Sequence, residues 1–129
     1  MEKLFDMKKI ILDTNFLTIP YQFNVDIFEE INRIMEEDYE LITLDKVVEE
    51  LKKMKKGKDT IAARIGLELI EKKNIKVIKT DEKKVDNAIV KLADKNTTVA
   101  TNDRDLRRRL KNKNVKVLYL RSKKHIVMS

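Results

Sequence analysis

Cysteine is absent from the 129 residues, and histidine occurs once, as His125. A disulfide framework and a thiolate zinc site are therefore excluded, which fits a reducing compartment. One imidazole supplies neither a histidine metal cluster nor a Ser-His triad. Two isolated glycines cannot form a dinucleotide-binding loop. Apolar runs such as Ile10-Ile11-Leu12 fall far short of the ~20 residues that span a bilayer. The opening stretch MEKLFDMKKIILDTNFL has charges within its apolar part and no small-residue cleavage site, so no secretory signal or membrane is expected and a cytoplasmic location is. The three Tyr and four Phe sit mostly in apolar contexts, leaving no base-stacking platform in view. Any chemistry must be built from carboxylates, hydroxyls, amides and cations.

What is present suffices for a folded domain. Apolar residues make up 42% and charged residues 40%, a balance that is neither disordered nor membrane-embedded. The length suits a single domain over 1–129, with a core of about 8–121 and short extensions at 1–7 and 122–129. Lys and Arg outnumber Asp and Glu by 29 to 22, giving +7. That excess favours a polyanionic partner such as nucleic acid, although a Lys- and Glu-rich thermostable surface gives the same count.

Five stretches rich in β-branched and apolar residues are expected strands: 8–12, 39–44, 75–80, 97–101 and 115–121. Helical patterns lie between them, at about 26–37, 45–56, 59–73, 82–95 and 103–111. Strands alternating with helices imply an α/β fold, a parallel sheet covered on both faces. In such a sheet the site lies beyond the carboxyl ends of the strands, at a topological switch point. That rule points to Asp13, Thr101 and Asp103, which follow the first and fourth strands.

In IILDTN, Asp13 stands where the first strand ends, and an ordinary helix cap would use the same residue. In DKVVEELKKM, Val47, Val48, Leu51 and Met54 form the apolar stripe. At ~100° per residue Glu49 lies opposite that stripe and Glu50 at its edge, so Glu50 is the acid able to lean into a cleft. In VDNAIVKLAD, Val85, Ala88, Ile89, Leu92 and Ala93 form the stripe and Asp86 flanks it, while Asp94 falls on the far side. First-turn placement against the helix dipole is the plainer reading of Asp86. In VATNDRDLRRRL, Asp103 is nearest the strand end, with Asp105 as a peripheral helper or a dipole partner. Four carboxylates brought together repel unless a cation neutralises them. Hard oxygen donors suit Mg²⁺ or Mn²⁺, and a phosphodiester is a substrate that needs such a centre. Thr101 and Asn15 are placed to orient the ligand carboxylates.

Taken in order, ILDTNFL, VVEEL, VDNAIVKLA and VATNDRDLRRRL resemble the PIN-domain family across nearly the whole chain. The resemblance implies a Rossmann-like five-stranded sheet in the order 3-2-1-4-5, and Mg²⁺- or Mn²⁺-dependent endoribonuclease activity. It implies Asp13, Glu50, Asp86 and Asp103 as catalytic metal ligands. TNDRDLRRRL is most similar to the branch holding archaeal VapC-type proteins and the eukaryotic PIN nucleases of small-subunit rRNA processing. That branch often has a second acid directly after the Asp86 position, where this chain has Asn87, which weakens the case for a second metal.

The expected function is hydrolysis of RNA as a VapC-type toxin with a cognate antitoxin. A housekeeping rRNA-processing nuclease is the alternative, and a non-catalytic RNA-binding module is an alternative of another class. A receiver domain would need paired acids after the first strand, where Asp13-Thr14-Asn15 supplies one. A homodimer is expected only by analogy with relatives. Arg104, Arg107, Arg108 and Lys111 recur at helical spacing opposite Leu106 and Leu110, a basic face for RNA phosphates that starts beside Asp103. Lys52, Lys53, Lys55 and Lys56 form a second basic cluster, and Arg121, Lys123, Lys124 and His125 a third.

Overall fold

A computed structural model describes residues 7–54 and 59–129. The chain begins with β1 (Lys8–Leu12), whose last three residues are buried, and continues into two short helices, α1 (Thr14–Leu17) and α2 (Ile19–Phe23). Then follow α3 (Ile27–Ile34), β2 (Tyr39–Leu44), α4 (Asp45–Lys53) and α5 (Thr60–Lys72). The remainder is β3 (Lys76–Ile78), α6 (Val85–Leu92), β4 (Thr97–Ala100), α7 (Arg104–Asn112), β5 (Lys116–Arg121) and β6 (His125–Met128). The expected extension before residue 7, and the expected run of the fourth segment's helix to Lys56, lie outside the described residues.

The strands order as β3-β2-β1-β4-β5-β6. The first five are parallel in the expected order; β4 is buried throughout and so are the last three residues of β1 and of β2, whereas Lys76 and Val77 of β3 are exposed. The expected count of five is corrected to six. Residues His125–Met128 fold back as an antiparallel edge strand against β5. Their turn places Ser122 and Lys123 at φ 55° and 58°, a primed hairpin turn built without the Gly or Asn that normally signals one. Glu30 and Arg33 of α3 hold the outer edge of this strand: Glu30 accepts from the Ile126 N–H at 3.0 Å, and the Arg33 guanidinium donates to the Ile126 carbonyl at 3.4 Å. Arg33 also donates from Nε to the Glu30 carboxylate at 3.2 Å, and that bond, followed by the Ile126 N–H, holds the Glu30 carboxyl below its usual range.

Two helices end by one device written in the sequence. Asn74 (φ 53°) follows α5 and Asn114 (φ 64°) follows α7, each taking the left-handed conformation that Asn tolerates. The next residue then bonds back: Ile75 N to Ile70 O at 3.0 Å, and Val115 N to Leu110 O at 2.9 Å. These are Schellman closures with an apolar residue on each side of the bond, and they aim the chain into β3 and β5.

The core is continuous along the sheet. Ile10, Leu12, Phe16, Leu17, Leu44, Val99, Ala100 and Leu118 are fully buried. Leu92, expected on the buried stripe of α6, is instead 41% exposed, because the helix stops there and Ala93 turns inward in its place. Burying Phe16 and Leu17 directly after β1 fixes where Asp13 stands. The chain leaves β1 toward β2 on one side and toward β4 on the other, so the switch point lies at the carboxyl ends of β1 and β4.

Candidate metal centre and RNA cleft

At that switch point Asp13 is 6% exposed. Its backbone continues the sheet by donating to Ala100 O at 3.0 Å, and its side chain caps α1 by accepting from Thr14 N at 2.8 Å. The buried Thr101 hydroxyl donates to the other carboxylate oxygen at 2.6 Å, and the Asn15 amide reaches the same oxygen at 3.4 Å. The Asn15 carbonyl oxygen accepts from Asn102 N at 2.9 Å, so Asn15 ties the end of β1 to the loop after β4. Asn102 in turn accepts from Leu120 N at 2.9 Å.

Asp103 is fastened by backbone donors. It caps α7 by accepting from Asp105 N and Leu106 N at 2.9 and 3.1 Å, and its own N–H donates to Thr101 Oγ1 at 3.1 Å. Thr101 therefore touches both acids. Asp105 acts on Asp103 through its backbone, whereas its carboxylate pairs with Arg108 at 2.9 Å.

The two glutamates of α4 separate as helix phasing requires. Val47 and Leu51 are buried, and Glu49 pairs with Lys46 on the solvent side at 3.4 Å. Glu50 turns toward the start of α1 and accepts from the Thr14 hydroxyl. Asp86, in the first turn of α6, accepts from Asn87 N at 2.8 Å and pairs with Arg109 of α7 at 3.3 Å.

Asp13, Glu50, Asp86 and Asp103 line one open cleft of about 590 Å³, with Lys83 and Lys84 on its rim. The concavity at the opposite end of the strands, bordered by Lys8, Glu36, Lys95 and Asn96, contains none of these acids. Burial pushes the Asp13 carboxyl up to about 6; the Thr101 and Thr14 donors oppose that rise, and the charges of Glu50 and Asp103 add to it. Among the described residues no Lys or Arg pairs with Asp13, Glu50 or Asp103. All the donors are hard oxygens, so the set fits a hard divalent cation. The acids ring the cleft loosely: among the described residues no three of them form a ready ion-binding array. Glu50 is engaged by Thr14, and Asp86 by Arg109.

The sequence profile described as PIN like domain matches residues 10–123. The chain belongs to the PIN-domain family. Ribonuclease VapC4 of Methanocaldococcus jannaschii is 33% identical over 126 residues, covering 92% of this PIN domain and 95% of that protein. Ribonuclease VapC9 of Archaeoglobus fulgidus is 29% identical over 119 residues, covering 90% and 85%. Among solved structures, the PIN domain endonuclease Utp24 superposes with a TM-score of 0.78 at 25% identity, over 94% of this chain and 90% of that one. No described helix is long and apolar enough to cross a membrane.

The basic face expected on α7 divides in this PIN domain. Arg107 lies over the Tyr119 ring, 4.1 Å from its centroid, and Arg108 pairs with Asp105, while Arg104 and Lys111 are exposed. Of the other basic clusters, Lys52 and Lys53 are exposed on α4, with Lys55 and Lys56 outside the described residues. Lys123, Lys124 and His125 are exposed at the β5–β6 turn, and His125 lies 4.0 Å from Glu30 rather than near the cleft. Sequence reasoning missed Thr14 as the holder of Glu50, and it missed Lys83, Lys84 and Arg109. The signal for Arg109 was present. It flanks the Leu106–Leu110 stripe of α7 just as Glu50 flanks that of α4.

Proposed function

We propose that this PIN domain is a divalent-metal-dependent endoribonuclease that hydrolyses RNA phosphodiester bonds with Mg²⁺ or Mn²⁺, its ligands being Asp13, Glu50, Asp86 and Asp103. One observation carries this reading. Four acids distant in the sequence line a single cleft, and the most buried of them pairs with no Lys or Arg among the described residues. The relatives named ribonuclease support the substrate class.

The chain's own residues divide the work. Asp13 is held rigidly by the Thr101 hydroxyl and the Thr14 N–H, so its outward-facing electrons are fixed in direction. Asp103 is fixed by three backbone contacts, and Thr14 turns Glu50 toward the same space. A bound divalent ion would offset charge on the scissile phosphate and acidify a water for in-line attack. Lys83 and Lys84 draw the RNA backbone to the acidic cleft, with Arg104, Arg107, Arg108 and Lys111 of α7 as a further basic track.

Incubation of total cellular RNA with the purified protein tests the activity directly. Discrete cleavage with Mg²⁺ or Mn²⁺ that EDTA abolishes is expected; chelator-insensitive RNA binding without cleavage would mean a non-catalytic binding module. Glu50→Gln is expected to lower turnover by about ten- to a hundredfold, whereas Glu49→Gln leaves it within about twofold, since its exposed Lys46 pair contributes little. Equal losses would contradict the assignment of Glu50.

In the cell we assign the protein as the toxin of a toxin–antitoxin pair, on the likeness to the two VapC ribonucleases over nearly their whole length. Co-purification with a small antitoxin that silences cleavage is the expected outcome. The likeness to the PIN domain endonuclease Utp24 supports a second reading, an endonuclease that works without such a partner.

A further inference from the structure

The four cleft acids differ in what holds them. Asp13 and Asp103 accept from hydroxyl and backbone donors that belong to the folded framework. Among the described residues Asp86 alone of the four is tied to a cation, with Arg109 Nη1 at 3.3 Å from its Oδ2. The two side chains belong to neighbouring helices and are 43% and 46% exposed. Arg107 and Arg108 of the same helix are engaged elsewhere, on Tyr119 and Asp105, so Arg109 is the α7 arginine directed at a cleft acid.

Such a pair is a weak lock. Half-exposed ion pairs contribute little, so a stronger partner for either member displaces the other. A phosphate is such a partner for guanidinium, whose planar fork matches two phosphate oxygens. Lys83 and Lys84, on the rim of the same cleft, would bring a phosphate close.

We infer that Arg109 and Asp86 form an exchangeable pair: Arg109 holds the carboxylate until RNA is bound, then moves to a backbone phosphate and frees Asp86 for the divalent ion. This rests on the metal-dependent reading above. Arg109 is thereby a positioning residue, and RNA and ion bind with positive coupling, each tightening the other by the same factor.

The test is a Mn²⁺ titration of the full chain, followed by the electron paramagnetic resonance of free ion. It is run with and without a nuclease-resistant 2′-O-methyl phosphorothioate oligoribonucleotide. Arg109→Gln is expected to bind Mn²⁺ about two- to fivefold more tightly than the parent without oligonucleotide. That gain should vanish in the Asp86→Asn background, and Arg108→Gln should show none. Oligonucleotide should tighten Mn²⁺ binding in the parent by a similar factor and leave Arg109→Gln unchanged. Mn²⁺ binding that Asp13→Asn abolishes but Arg109→Gln leaves unaltered would overturn the exchange and spare the metal centre. A tightening that persists in the Asp86→Asn background would also overturn it, reducing Arg109 to a diffuse positive field. No Mn²⁺ binding, or binding indifferent to Asp13→Asn, would overturn both.

Discussion

Asp13→Asn is expected to lower RNA turnover by at least about a hundredfold, the upper end of what loss of a mere supporting contact causes. The variant should remain folded. Asn keeps an oxygen for the Thr101 hydroxyl or the Thr14 N–H, and it removes a charge that the site tolerates poorly. The direction with pH follows from the raised carboxyl. A folded-state value of about 6 against an ordinary 3.8 means the ionised side chain opposes folding. Stability from this group is full below about pH 4 and is lost as pH rises through about 6. In metal-free buffer at pH 7.5, Asp13→Asn should therefore melt no lower than the parent, and any advantage should disappear near pH 3.5. Thermal unfolding at the two pH values, beside RNA turnover with Mn²⁺, checks both halves. A large fall in melting temperature at pH 7.5 would mean that Asp13 is a structural cap first.

Thr101→Val has the second largest expected effect. The substitution preserves shape at a position with no solvent exposure, but it deletes the hydroxyl that serves two acids at once. Asp13 loses its shortest donor and the Asp103 N–H loses its acceptor. A loss of about 1–3 kcal/mol in stability and of about ten- to a hundredfold in turnover is expected. Thr101→Ser restores the hydroxyl and should recover most of the turnover, even if the missing methyl leaves some instability. If Ser and Val are equally inactive, packing rather than the hydroxyl explains the residue.

How much of this was legible before the fold was known depended on the type of signal. Strands β1 and β2 were read to the residue, because an apolar run ending in Asp or opening on a helix start has sharp edges. The parallel arrangement followed from the alternation of strands and helices, whereas the strand order came from the family resemblance. β6 was missed because Ser122 and Lys123 adopt a turn that sequence rules reserve for Gly and Asn. Its stabilising partners, Glu30 and Arg33, lie more than ninety residues earlier in the chain. The helices α1 and α2 were missed because four- and five-residue segments leave no periodicity to detect.

Within the cleft, helical phasing separated Glu50 from Glu49 and put Asp86 on the side of its helix that lines the cleft, since stripe position is a property of one helix alone. Phasing could not show that Asp86 meets Arg109, because that contact joins two helices and depends on how α6 and α7 pack. Nor could the α7 stripe show which arginines are already engaged. Arg107 is taken up by Tyr119, a residue of β5 that no local rule connects to it.

Convergence of Asp13, Glu50, Asp86 and Asp103 on one hard cation is open to a direct crystallographic test, anomalous diffraction from crystals soaked in Mn²⁺. An anomalous peak in the cleft, with a carboxylate oxygen of Asp13 at about 2.1 Å and at least two of the other three acids drawn in around it, is the expected result. A peak bound elsewhere on the surface, or ordered crystals with no manganese among these four side chains, would contradict it.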